Sequence, residues 1–185
     1  MQRPIQDVLR ILKGVPVRDF EPGHIQKLLA GVAVDAASLT PYLHFVKSQY
    51  TRNLIFRNDD FELLALCWDG ESHSPIHNHS GQDCWLLVQE GQFCLEGYRL
   101  VEGGVEPGVA RLEHVDSQHK VCPGALDHRG TLNDIHQVKV SRGNLRAVSL
   151  HVYARPFDDC LVYDLKRNEC RRQRLKYHTI EGRPA

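Results

Sequence analysis

Apolar residues recur at helical spacing along the first fifty positions, and from Tyr50 onward they fall into short runs broken by turns. In "RPIQDVLRILKG", Ile5, Val8, Leu9 and Leu12 share one helical face, with Pro4 near the start and Gly14 past the end, and "GHIQKLLAGV" repeats the pattern. "LTPYLHFVK" predicts a third helix, with Thr40 as cap and Pro41 as first helical residue. The later runs "TRNLIF", "FELLALCW", "CWLLVQ", "FCLEGYRL", "ARLEHV", "HKVC", "HQVKV", "AVSLHVYA", "CLVYDL" and "RRQRLKYHTI" are rich in β-branched, aromatic and leucine residues and predict strands. Strands this many and this closely spaced predict a mainly β sandwich or barrel. With no repeat or linker, one domain is expected over 1–185: a helical segment 1–49, a β-barrel 50–178 and a frayed "EGRPA" tail.

Charge excludes some partners. Lys plus Arg equals Asp plus Glu at 23 each, so no overall field draws the chain to nucleic acid or an anionic membrane, and a small-molecule partner is expected. No stretch approaches the roughly 18 apolar residues of a membrane span, and the first residues carry no signal-peptide pattern, so a cytoplasmic protein is expected. Six cysteines lack zinc-ribbon spacing and are expected to be reduced. Eleven histidines are many for this length, and they crowd between His73 and His151, which directs the search for chemistry to that stretch.

Residues i and i+2 of a strand face the same way, so His77 and His79 would present both rings to one side, where they can share a metal; a surface pair is the alternative. A third ligand must come from His114, His119, His128, His136 or His151. His136 lies in an alternating run and is favoured, whereas His128 sits in "GALDHRG", which reads as an exposed loop. In "AVSLHVYARPF", Ser149, His151 and Tyr153 alternate with Leu150 and Val152; a hydroxyl, an imidazole and a phenol in one row can hydrogen-bond in relay. Tyr50 and Arg52 in "YTRNLIF" form another such row, and Arg52 can clamp a carboxylate through two donors.

The stretch "SPIHNHSGQDCWLLVQEG" is similar to a cupin first motif: Gly70 upstream, His77-x-His79, and Gly91 at the end. Cys84 stands where that motif normally has a glutamate ligand, so histidines alone would hold the metal. Together with "YTRNL", "HNHSGQDCW" and "SLHVYARPFDDC", the chain resembles the cysteine dioxygenases, the thiol dioxygenase branch of the cupin superfamily, from about Tyr50 to Cys160.

That resemblance implies a cupin jelly-roll barrel carrying Fe(II) on His77, His79 and His136. It implies Arg52 on the substrate carboxylate, assisted by Tyr50, and Tyr153 beside substrate and oxygen, hydrogen-bonded through His151 and Ser149. It also implies a thioether joining Cys84 to the Tyr153 ring. Trp68 and Cys160 match positions near the pocket wall, where plain core packing is the simpler expectation. The implied reaction converts L-cysteine and O2 to cysteine sulfinic acid, in cysteine catabolism toward sulfinate and taurine, by a protein that is a monomer like its relatives. Three neutral imidazoles leave such an iron its full 2+ charge, which favours an anionic soft ligand such as a thiolate.

Two departures bear on substrate. The family's Ser-Pro-Pro after the tyrosine is Ala154-Arg155-Pro156 here, so the cis Ser-Pro peptide is expected to be absent. Relatives that oxidise 3-mercaptopropionate typically lack it too but carry glutamine in place of Arg52. 3-Mercaptopropionate is therefore the alternative substrate, and a non-catalytic metal-binding cupin the more remote alternative function.

Overall fold

The computed structural model describes residues 2–130 and 134–185. Two helices form as expected. α1 (Ile5–Lys13) buries Ile5, Val8 and Leu12, and α2 (Pro22–Leu29) buries Ile25 and Leu29. The third helix differs from expectation. α3 (Ala36–Leu39) starts four residues earlier than Thr40, at an Asp35 cap whose carboxylate accepts from the Ser38 N–H, and gives way to a 3-10 turn at Thr40–Tyr42. Pro41 has no N–H to offer the Ala37 carbonyl, so the α-helical ladder cannot continue through it.

Thirteen strands follow among the described residues. β1 (Tyr50–Arg57), β2 (Glu62–Asp69), β4 (Asp83–Glu90), β7 (Leu126–Arg129), β9 (Arg146–Ala154), β12 (Thr179–Ile180) and β13 (Arg183–Pro184) make one sheet, in the order β13-β12-β1-β2-β9-β4-β7. β3 (Ile76–His77), β5 (Phe93–Gly103), β6 (Gly108–Val121), β8 (Ile135–Val140), β10 (Asp159–Asp164) and β11 (Glu169–Arg174) close into a ring. The class is mainly β with short helices, as the sequence predicts. "ARLEHV" and "HKVC" belong to one long strand, β6, paired along β5.

"GALDHRG" is not an exposed loop: it holds β7, whose residues pair with β4 and are half-buried. A four-residue strand with two charges carries too little apolar pattern to be seen without its partner. The tail is not frayed either. β12 pairs in parallel with β1, the Glu181 N–H bonds the Leu54 carbonyl, and β13 folds back on β12. A side chain at Gly182 would meet the Pro41 carbonyl oxygen at 2.7 Å, so the tail lies close against the 3-10 turn. Strands thus run to Pro184, past the expected boundary at 178. Residues 131–133, the start of the "TLNDIHQVKV" run, lie outside the described residues.

The strand period of two sorts side chains into two layers. On the outer face of the seven-stranded sheet, Phe61, Leu63, Trp85, Leu150 and Val152 pack with Ile5, Val8, Leu12, Ile25 and Leu29 of the helices. On the inner face, Leu64, Leu66, Leu86 and Val88 meet Phe93, Leu95, Val138 and Val140 of the ring. At Gly91, where β4 turns into β5, φ is +76° and a Cβ would lie 2.6 Å from that of Ala147, so glycine is required twice over.

Candidate metal centre and its surroundings

β3 and β8 pair with His77 opposite His136, and their rings sit 4.7 Å apart. β3 ends at His77, so His79 lies beyond the strand rather than on it. Its ring still joins the other two, at 5.2 Å from His77 and 4.8 Å from His136. One donor atom from each of the three lies within 4.8 Å of the others, the one such gathering of ligating side chains among the described residues. His128 is elsewhere, on β7, bonded to Asp83 at 2.8 Å and lying against Trp85. His119 stands beside Cys94, and His114 bonds Ser117.

The three rings suit a cation. Burial lowers the His77 pKa to about 4 and holds His79 and His136 well below the usual 6.5, the neighbouring imidazoles adding to the effect at the latter two. At neutral pH they are neutral, the form that binds metal. The His77 Nδ1–H donates to the Pro75 carbonyl at 3.0 Å, leaving Nε2 as its ligand atom. Nδ1 of His79 and of His136 is buried without a hydrogen-bond partner. Three neutral nitrogens gathered this closely fit a divalent first-row metal with coordination positions to spare.

The inner face of β9 supplies the predicted row. Ser149 Oγ is 3.0 Å from His151 Nε2, and His151 Nδ1 is 3.1 Å from the Tyr153 hydroxyl. The Tyr153 ring stands 5.5 Å from that of His79, which places the phenol beside the metal centre. Burial pushes the Tyr153 phenol well above 10 and lowers His151 to about 3, so both are neutral. Cys84 is the direct cross-strand partner of Tyr153, and its Sγ lies 3.7 Å from His151 Nδ1. Burial raises its thiol too, so it sits there protonated.

Arg52 reaches the same space, its guanidinium carbon 5.5 Å from the Tyr153 ring centroid, and its Nε is buried without a partner. One Nη is not free: it lies 3.2 Å from Glu62, a fully buried carboxylate. The other oxygen of Glu62 accepts from the Tyr177 hydroxyl and lies 3.6 Å from Arg57, which also pairs with Asp158 at 2.8 Å. Sequence reasoning missed Glu62 and Tyr177. The signal was present in "FELLALCW", where the one charged residue falls on the same strand face as Leu64, Leu66 and Trp68.

Tyr50 stacks on Trp68 at 4.7 Å. A cavity of about 20 Å³ is lined by Tyr50, Arg52, His77, His79, Tyr153 and Cys160, among others. It shares Tyr50, Arg52, Gln173 and Leu175 with an outer hollow of about 370 Å³, so those four side chains stand at the neck between them. Nearby, the Ala154–Arg155 peptide is cis, contrary to the expectation that losing Ser-Pro removes a cis bond there. Arg155 donates its N–H to Gln82 at 2.9 Å, a bond that proline could not make.

Comparison with known proteins points to one family. A sequence-family model for "Cysteine dioxygenase type I" matches residues 2–166. The chain is 28% identical to cysteine dioxygenase type 1 of Homo sapiens over 183 residues, covering 97% of this chain and 88% of that protein. It is likewise 28% identical over 163 residues to the Danio rerio protein of the same name, covering 86% and 79%. Among solved structures, TT1209 from Thermus thermophilus aligns with a TM-score of 0.46 and 16% identity over 63% of this chain and 93% of its own. KdgF from Halomonas sp. aligns with a TM-score of 0.44 and 15% identity, over 62% and 86%.

Proposed function

The chain belongs to the cysteine dioxygenase type I family, and from that premise we propose that it is a non-haem iron thiol dioxygenase that converts L-cysteine and O2 to cysteine sulfinic acid. The observation that carries the reading is a cluster of three neutral imidazoles, two of which line a cavity together with the Arg52 guanidinium, whose Nε is unpartnered, and the Tyr153 phenol. A site that only stored metal has no use for the last two.

His77, His79 and His136 would hold Fe(II), which would supply affinity for thiolate and O2 and the redox capacity that sulfur oxidation requires. The rest is the protein's own work. Arg52 binds the substrate carboxylate through the donors that Glu62 leaves free, and the Glu62 contact holds the guanidinium in place. Fixing the substrate at its carboxylate, within the cavity that His77 and His79 line, removes rotational freedom before reaction, a large part of what a site contributes to rate. Tyr50, held flat against Trp68, forms the adjacent wall. Tyr153 keeps its proton at neutral pH and presents a hydroxyl that can bond substrate or oxygen. Phe157 and Leu175 add apolar surface to the cavity wall.

Cys84 and Tyr153, opposed across β4 and β9, are the proposed partners of a thioether formed by loss of two hydrogen atoms to O2. A cross-linked peptide containing both, lighter by two hydrogens, is expected after digestion of aerobically treated Fe(II) protein; two unmodified peptides only would refute the link. Six free cysteines accord with a reducing, cytoplasmic setting, and a monomer is the proposed state. No helix among the described residues is long and apolar enough to cross a membrane.

The test is oxygen uptake by Fe(II)-loaded protein with L-cysteine, 3-mercaptopropionate and cysteamine at matched concentrations. The expected order puts L-cysteine first and cysteamine, which has no carboxylate for Arg52, last. Uptake with none of the three sinks the dioxygenase reading, and a preference for 3-mercaptopropionate that survives Arg52→Gln removes Arg52 from its role.

A further inference from the structure

We propose that Trp68 fixes the direction of the protons in the Ser149–His151–Tyr153 row, so that His151 carries its proton on Nδ1 and donates it to the Tyr153 hydroxyl oxygen. Trp68 is fully buried on β2, beside β9, and its indole Nε1 lies 3.0 Å from Ser149 Oγ. An indole N–H can only donate, so Ser149 Oγ accepts from it.

Ser149 is itself fully buried, and the other polar side-chain atom its hydroxyl meets among the described residues is His151 Nε2, at 3.0 Å. The hydroxyl proton is donated to that nitrogen. In the reverse arrangement Nε2–H would donate to Oγ, which would then accept twice, while the serine proton stayed buried without an acceptor, a loss worth an order of magnitude or more in the tautomer ratio. With Nε2 accepting, a neutral His151 carries its proton on Nδ1.

A second observation points the same way. Nδ1 faces two groups, the Tyr153 hydroxyl at 3.1 Å and Cys84 Sγ at 3.7 Å. A proton on Nδ1 serves both as acceptors. A bare lone pair would leave the phenol and the thiol competing to donate to it. Since the phenol oxygen accepts from His151, its own proton is not consumed by the row. The same indole stacks on Tyr50, so one side chain orients both phenols of the cavity wall. Trp68 is thus a positioning residue that acts through Ser149 and His151.

The consequence for turnover rests on the thiol dioxygenase reading; the proton arrangement does not. The test is therefore nitrogen-15 NMR of the histidine rings in metal-free protein at neutral pH, with His151 assigned by its absence in His151→Gln. Wild type is expected to show the Nδ1–H tautomer at His151, and an Nε2–H tautomer there overturns the proposal without need of any variant. Trp68→Phe keeps an aromatic ring but removes the donor, and is expected to convert His151 at least in part to the Nε2–H form. An unchanged tautomer in the folded variant overturns the assignment to Trp68. In the Fe(II)-loaded protein, Trp68→Phe should lower kcat by about tenfold or more with little change in KM, and adding Ser149→Ala should cost little further. Equal, additive losses in kcat would refute the shared row. Absence of all thiol-dependent oxygen uptake, with the Nδ1–H tautomer present, would end the functional reading and leave the proton arrangement standing.

Discussion

Leu150 and Val152 leave β9 toward the helices, while Ser149, His151 and Tyr153 leave the same nine residues toward the metal centre. Both sets are buried, yet they are held by different physics. The outer set is interchangeable apolar volume, stabilised in proportion to area removed from water. The inner set forms a chain of directional bonds in which each group has few acceptable partners, and burial there raises the cost of losing any of them. The outer face therefore governs how firmly the protein folds, and the inner face governs what it does once folded.

The largest break in that symmetry is expected at the metal ligands. His136→Ala should abolish stoichiometric Fe(II) binding, measured as iron retained after desalting, while His128→Ala, which removes the contacts with Asp83 and Trp85 away from the histidine cluster, should keep it. Equal retention in both variants would remove His136 from the centre.

Much of this contrast is legible in the sequence. Alternation alone separates Leu150 and Val152 from Ser149, His151 and Tyr153, and the His77-x-His79 spacing marks the centre even though His79 lies off the strand. What stayed hidden depends on partners distant in the chain. β7 is a strand because β4 offers it an edge, and the tail is ordered because β1 does. Glu62 reads as an ordinary strand-end acid until the register places it between Arg57 and Tyr153. Local pattern reports which face a residue takes, whereas pairing across more than a hundred residues, as between Tyr177 and Glu62, has no local trace.

A pair of variants on β9 sharpens the comparison further. Leu150→Ala should lower unfolding stability by about 2–5 kcal/mol through an outer-face cavity while turnover per bound iron holds. Ser149→Ala should cost about 1–3 kcal/mol, because it leaves the Trp68 N–H unpartnered, and should reduce turnover. Denaturant midpoints and iron-normalised rates, measured together, distinguish the two; loss of turnover in Leu150→Ala alone would dissolve the division between faces.

A pH slope in stability probes the inner face as a whole. His77 and His151 titrate at about 4 and about 3 in the folded protein, against 6.5 when exposed. Unfolded chains take up protons that these buried rings refuse, so stability should fall as pH drops below about 6.5, by about 1.4 kcal/mol per pH unit for each ring until its folded value is passed. Urea midpoints of the metal-free protein at about pH 7 and pH 5 test this, and identical midpoints would mean that the inner rings are not held neutral by the fold. His151→Gln should flatten part of the slope.

The C-terminal segment bears on how the protein is made. β1, which carries Tyr50 and Arg52, has β12 as its outer neighbour, and the Glu62 contact with Arg52 is completed by Tyr177. Arg52, His77 and His79 are synthesised well before Tyr177. A nascent chain paused short of Tyr177 would hold a buried carboxylate between two guanidiniums with one edge of its sheet open. Arg52 therefore gains its full set of neighbours only once β12 and Tyr177 have joined the sheet, so the order of that corner depends on residues far along the chain from it.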